Sequence, residues 1–326
     1  MSNSARTPRP VTVWFLAFLV LSLIGVADQS AAQSPYDRIV VFGDSLSDPG
    51  NVFAATHAHV TPPDYSLDEF LVPGAPYARG GHHLSNGATW IEQFARPLGL
   101  AVSAQPAFRD SNPFASNFAV ATARARDDGR GFDLGDQVQA FLARSGGVAP
   151  SGALYVIELG INDVRDALVA FPSGGSGTIL QAALASIADA ITTLHAAGAR
   201  HVLVWNVPDV GLTPALRLAD TQMPGTALLA SLLTQEFNDS LAVVLGGLSF
   251  LPDIQLVPFD AAGLIAAIVA DPSAFGLTDV VSPCVAPNTP PFACRDFGSF
   301  LFWDGIHPTA AAHAIVARTV ASLLGL

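Results

Sequence analysis

The chain has 326 residues, half of them hydrophobic and only 13% charged, with a formal net charge of −12. This is the composition of a globular protein with material for a sizeable core, and its acidity argues against sequence-independent binding to nucleic acid or anionic lipid headgroups. All fifteen basic residues are Arg, which removes Ser–Lys dyads, Schiff-base chemistry and the lysine-dependent phosphate loop from consideration.

Arg6 and Arg9 precede an uncharged, mostly apolar run from Val11 to Val26, followed by the small-x-small pattern Ser30-Ala31-Ala32. Residues 1–32 therefore read as an export signal cleaved after Ala32, leaving 33–326 as a single domain. The run is short for a spanning helix, which needs roughly 17–25 residues. No other stretch is long and apolar enough, so the processed chain is expected to be soluble, in a secreted or periplasmic location. In such a compartment Cys284 and Cys294 are expected to pair, across a loop too rich in Pro to hold itself by backbone bonds.

Strand-like runs alternate with helical patterns along the rest of the chain. The strands are expected at Arg38–Phe42, Asn117–Ala121, Leu154–Leu159, His201–Val207 and Ile254–Val257, the last stopped by Pro258. Helices are expected at Ala88–Leu98, Asp136–Arg144, Ile179–Ala197, Ala227–Leu245, Ala261–Ala270 and Thr309–Leu324. Such alternation predicts an α/β fold, a three-layer α/β/α sandwich around a mostly parallel five-stranded sheet. Three irregular segments, 53–83, 124–135 and 271–299, break the pattern and are candidates to roof a site.

Acyl transfer from an ester needs an oxygen nucleophile, a base, a group orienting that base, and donors for the oxyanion. Gly43-Asp44-Ser45-Leu46 closes the first strand, which delivers Ser45 to the carboxyl edge of the sheet, at a turn expected to lead into a helix N-terminus. Near the other end of the chain, His307 precedes Pro308, a residue favoured at the first helical position, so His307 is expected at the mouth of the last helix. Asp304, three residues earlier, is within reach of the His307 ring and would fix its tautomer. Asn162, in Gly160-Ile161-Asn162-Asp163, closes a third strand at the same edge, and its neutral amide is a suitable oxyanion donor beside the Ser45 N–H. Asp44, Asp48 and Asp163 read as structural residues holding the turns.

Together these residues resemble the SGNH hydrolases of the GDSL lipase/esterase family. Gly43-Asp44-Ser45-Leu46-Ser47-Asp48, Gly160-Ile161-Asn162-Asp163 and Trp303-Asp304-Gly305-Ile306-His307-Pro308-Thr309 match that family's nucleophile, third and fifth blocks, in its order. Ser85-Asn86-Gly87-Ala88-Thr89-Trp90 and Val207-Pro208-Asp209-Val210-Gly211-Leu212-Thr213-Pro214 resemble further stretches of its lipase-like branch. The resemblance implies a flavodoxin-like sheet, hydrolysis of a small-molecule, lipid or glycan ester through a Ser45 acyl-enzyme, and no metal or other cofactor. One block departs from the pattern. Where the family has Asn-Phe-Ala-x-Gly-Gly-Ala, this chain has Asn117-Phe118-Ala119-Val120-Ala121-Thr122-Ala123, so Thr122 takes the position whose backbone N–H completes the oxyanion hole. A side chain there would cost about 1–2 kcal/mol if the backbone needs positive φ.

Two other readings share these residues: an acyltransferase using the same acyl-enzyme, and a non-catalytic acyl- or glycan-binding relative. A metallophosphoesterase would need Asp-x-His and Gly-Asn-His-Asp/Glu blocks, which the sequence lacks. His57, His59, His82 and His83 read as exposed loop histidines rather than metal ligands, and Trp90 and Trp303 as core. The sequence is silent on acyl-chain length, headgroup and oligomeric state.

Overall fold

The computed structural model describes residues 1, 34–56, 82–109, 112–285 and 294–326. The expected export signal, His57 and His59 lie outside the described residues.

Four parallel strands form the main sheet, β1 (Arg38–Gly43), β2 (Ala153–Glu158), β3 (His201–Trp205) and β4 (Gln255–Phe259), side by side in that order. The strands of β1 to β3 read as unbroken apolar runs because helices bury both faces. Ile39 and Val41 point to one side with Leu154, Val156 and Leu203, where they pack on helices α2 (Trp90–Ala95), α8 (Ala261–Ala270) and α9 (Ala310–Leu323). Val40 and Phe42 point to the other with Tyr155, Ile157 and Val204, against α3 (Leu134–Arg144), α4 (Ile161–Ala170), α5 (Ser176–Ala197) and α7 (Thr226–Leu248). This alternation makes the three α/β/α layers. Helix α5 is apolar and long enough to span a membrane by composition, yet Ala183, Ile187, Ile191 and Leu194 are core residues.

The expected second strand, Asn117–Ala121, is not a regular strand. It lies beside β1 through Phe118 N–H to the Val41 carbonyl (2.7 Å) and Val120 N–H to the Gly43 carbonyl (3.0 Å), with an isolated parallel bridge at Val41–Asn117. On its other side Asn117 exchanges backbone bonds with Gln105 and Ala107, and side chains take further groups. The Asn51 amide donates to the Asn117 and Ala119 carbonyls (2.7 and 2.8 Å), and Asn117 Oδ1 accepts the Ala119 N–H (2.9 Å). The fifth place in the sheet is thus held by an irregular edge segment.

Strand β4 continues through Pro258, where the sequence pattern alone would end it. Pro258 pairs with Val204 on an edge strand, and a missing N–H is harmless when it faces away from the ladder. The irregular segment 271–299 contributes β5 (Asp279–Pro283), which pairs in parallel with β6 (Phe300–Phe302) in a small second sheet. The described chain also holds α1 (Asn51–Thr56) and α6 (Pro214–Gln222).

Candidate active site

The carboxyl ends of β1 and β2 and the loop entering α9 converge on one place. Ser45 follows β1 in a tight turn, with the Ser47 and Asp48 N–H groups donating to the Asp44 carbonyl (3.2 and 3.0 Å). A side chain at Gly43 would lie 2.9 Å from Glu158 Oε2, so glycine lets β1 and β2 close up beneath the turn. The expected helix N-terminus does not follow Ser45 directly. Helix α1 starts only at Asn51, and Asp48 takes up its first donors: Oδ1 accepts the Gly50 and Asn51 N–H groups, and Oδ2 accepts those of Val52 (3.1 Å) and Ala121 (2.8 Å). That dipole is already answered by a carboxylate.

His307 Nε2 lies 3.1 Å from Ser45 Oγ, across 262 residues of sequence. Its Nδ1 lies 2.9 and 3.0 Å from the two Asp304 carboxylate oxygens. A carboxylate accepts, so Nδ1 carries the hydrogen and Nε2 is left as acceptor toward the serine hydroxyl. Asp304 Oδ1 also accepts the Ile306 and His307 N–H groups (2.9 and 2.7 Å), which ties both partners into one turn. Both side chains are buried. Burial alone would raise Asp304, but the His307 charge, the ring hydrogen bond and these two N–H groups outweigh it and hold the carboxyl below its ordinary value.

Pro308 is not the first residue of the last helix. It bridges antiparallel to Phe302, and Thr309 is the cap, its hydroxyl accepting the Ala312 N–H (3.1 Å). The block at Ser85 braces this entry. Ser85 Oγ donates to the Pro308 carbonyl (2.9 Å), Asn86 Oδ1 accepts the Ala310 N–H (2.8 Å), and Gln93 donates to the Ala310 carbonyl (2.9 Å).

Asn162 sits in the first turn of α4, behind Gly160 at φ 128°. One of its amide N–H groups is fixed by the Ala123 carbonyl (2.9 Å), while the other has the longer contact to Asp44 Oδ2 (3.4 Å). Thr122 adopts φ 70°, the left-handed conformation a glycine takes freely. The chain beyond it is strapped to α4: Asp163 accepts the Ala125 N–H and pairs with Arg126 (both 2.8 Å), and Arg124 grips Asp166 through two 3.0 Å bonds. Asp48 thus anchors the segment that carries Thr122 to the turn after Ser45, and Asp163 and Asn162 anchor it to α4, structural roles for Asp48 and Asp163.

Glu158 escaped the sequence reading. It is buried at the end of β2, and its carboxyl accepts the Asp44 N–H at 3.4 Å. Burial pushes Asp44 up to about 7, opposed by the Leu46 N–H and the His307 charge, and it raises Glu158 well above its ordinary value, with the Asp44 charge adding to the effect. A lone acid within the apolar run Leu154–Leu159 was the available signal. His83 also differs from expectation. It is buried, with Nε2 2.7 Å from Glu92, whose position inside α2 makes the pocket for it. His82 stacks on Phe53. Trp90 and Trp303 are buried, as expected.

Cys284 and Cys294 form a disulfide. Next to it, the Val285 N–H donates to the Trp303 carbonyl (2.9 Å) and the Trp303 N–H to the His307 carbonyl (2.7 Å), so the cross-link braces the strand that precedes Asp304. Such an arrangement can pass a proton from a serine hydroxyl to an imidazole, with amide donors nearby for a developing oxyanion.

A family model described as GDSL-like Lipase/Acylhydrolase matches residues 39–320. The chain is 29% identical to a Pseudomonas putida protein from the trpE–trpG intergenic region over 95% of this chain and 52% of that one. It is 27% identical to a GDSL esterase/lipase of Arabidopsis thaliana, covering 93% of this chain and 95% of the other. With Esterase EstA of Pseudomonas aeruginosa it shares 28% identity over 95% of this chain and 50% of the relative. The chain thus spans about half the length of the two bacterial relatives.

Proposed function

The chain belongs to the GDSL-like lipase/acylhydrolase family, and we propose that it is a carboxylic ester hydrolase working through an acyl-enzyme on Ser45 with His307 as general base. Ser45 Oγ attacks the ester carbonyl carbon while His307 Nε2 takes the hydroxyl proton. Asp304 keeps the ring oriented and stabilises the imidazolium. The N–H groups of Ser45 and Thr122 and the second amide N–H of Asn162 receive the oxyanion. The alcohol departs with the proton from His307. Water, deprotonated by the same nitrogen, then attacks the acyl-enzyme and releases the acid. The ring must be neutral to act, so turnover falls as acid protonates it.

The reading is carried by the continuous hydrogen-bonded line from Ser45 through His307 to Asp304. Removal of residues 1–32 and action outside the cytoplasm complete it, and the Cys284–Cys294 bond suits an oxidising compartment. A fluorophosphonate probe and a chromogenic ester panel test the proposal. Labelling and hydrolysis that both vanish in Ser45→Ala are expected; hydrolysis that persists there removes Ser45 as nucleophile.

A further inference from the structure

Beside the Thr122 backbone lies a cavity of about 240 Å³, lined by Val52, Val120, Ala121, Thr122 and Phe132, with Arg124, Asp128 and Arg130 among its polar lining. It neighbours the Ser45 turn through Thr122, proposed above as an oxyanion donor. The Val120 and Ala121 N–H groups tie this wall to Gly43 and Asp48 on either side of Ser45. Its wall contains two of the three described non-glycine residues at positive φ, Thr122 (70°) and Phe132 (65°). Backbone held in such conformations collects at sites where a ligand must be met in a fixed shape. The Phe132 ring packs edge-on against Phe108, and the Phe132 carbonyl accepts from the Gln137 amide (2.9 Å), which fixes the residue from two directions.

We infer that this cavity is the acyl subsite and that Phe132 sets the length of acyl chain it accepts. The inference rests on the Ser45 acyl-enzyme proposed above. With the carbonyl oxygen at the Thr122 N–H, the departing alcohol must face His307 to receive its proton. None of the lining residues comes from the His307 loop, so the arm that enters this cavity is the acyl arm. Its charged groups are engaged with one another or with α4, Arg124 with Asp166 and Asp128, Arg130 with Asp128, so the apolar floor is left to recognise the ligand. A volume near 240 Å³ is many times the ~10–15 Å³ that one water needs by the same measure, so the cavity has room for several carbons of an acyl chain.

Two series of p-nitrophenyl and related esters test this on the purified full chain: acyl length varied with one alcohol, and alcohol varied on the acetyl ester. Phe132→Ala should raise kcat/KM for decanoyl relative to butanoyl esters by about tenfold, and Phe132→Trp should lower the same ratio by a similar factor, the scale that added or missing apolar groups command in a pocket. Neither should alter the alcohol series. Ratios that stay flat across acyl length in both variants, or that follow the alcohol instead, overturn the assignment. Hydrolysis that survives Ser45→Ala would mark a failure of the acyl-enzyme proposal rather than of the subsite.

Discussion

Single side chains carry both the strain and the charge of this site. Thr122 is exposed, so its side chain contributes little packing, while its φ of 70° is unfavourable for a β-branched residue. Thr122→Gly is expected to stabilise the protein by up to about 1 kcal/mol after the added flexibility of the unfolded chain is counted. Thr122→Ala keeps the strained backbone and should not. Thermal melts of the two variants check this, and an equal shift in both would remove strain as the cause.

Burial of acids beneath Ser45 has a pH signature. The Asp44 carboxyl moves from an ordinary 3.8 to about 7 on folding, so between those values the folded protein keeps a proton that the unfolded chain has released. Stability therefore falls as pH rises through that window and levels off above it. Glu158 and Asp48, the latter raised to about 6, act in the same direction. Asp304 acts oppositely: its contribution is present above its unfolded value and is lost as pH falls through the lowered one. Glu158→Gln removes one buried acid and relieves its push on Asp44. Its melting temperature should fall less between pH 5 and 8 than that of the parent, and parallel slopes would exclude Glu158 from the effect.

At the scale of elements, the critical joint is where the 85–93 segment meets the start of α9. A Cβ on Gly87 would lie 2.5 Å from that of Ala310, so the two backbones touch only because glycine stands there. Gly87→Val should push the segment off and shift the Asp304–His307 turn that it braces, lowering kcat by about tenfold or more, since small misplacements of reacting groups are costly. The fluorophosphonate labelling rate, which reads Ser45 activation directly, should slow in step; an unchanged rate would place the bracing elsewhere. Elements also show what the sequence can reveal. Ser45, Asn162, Asp304 and His307 were legible because each follows an apolar strand or precedes a cappable helix. Helix α4 was not: it begins at Gly160 with no side-chain cap, so its start carries no signal. The loss of regularity at Asn117 depends on Asn51, 66 residues away, and only the folded chain brings them together. The cap of α6, Thr213 before Pro214, is by contrast a signal carried by the sequence itself.

For the molecule as a whole, the α/β layering follows from strand runs that are apolar on both faces, and it was readable from the sequence alone. The small β5–β6 sheet was not, since a three-residue strand is too short to show a period. This sheet adjoins the disulfide, which closes a span of 10 residues. A loop of that size contributes about 2–3 kcal/mol in the chain-entropy account. Cys284→Ser/Cys294→Ser should melt several degrees lower than the parent, and the gap should close when the parent is reduced; a gap that persists would mean that the serines, not the lost bond, are responsible.

The 262-residue separation of Ser45 from His307 also sets an order in time. All four strands of the main sheet precede Asp304 in the chain, so a ribosome finishes the Ser45 turn and its scaffold before it has made the proposed base. Under the proposed mechanism the emerging protein shapes its site early and stays chemically silent until the α9 entry docks. A nascent chain would then cross its most exposed stage without an armed serine.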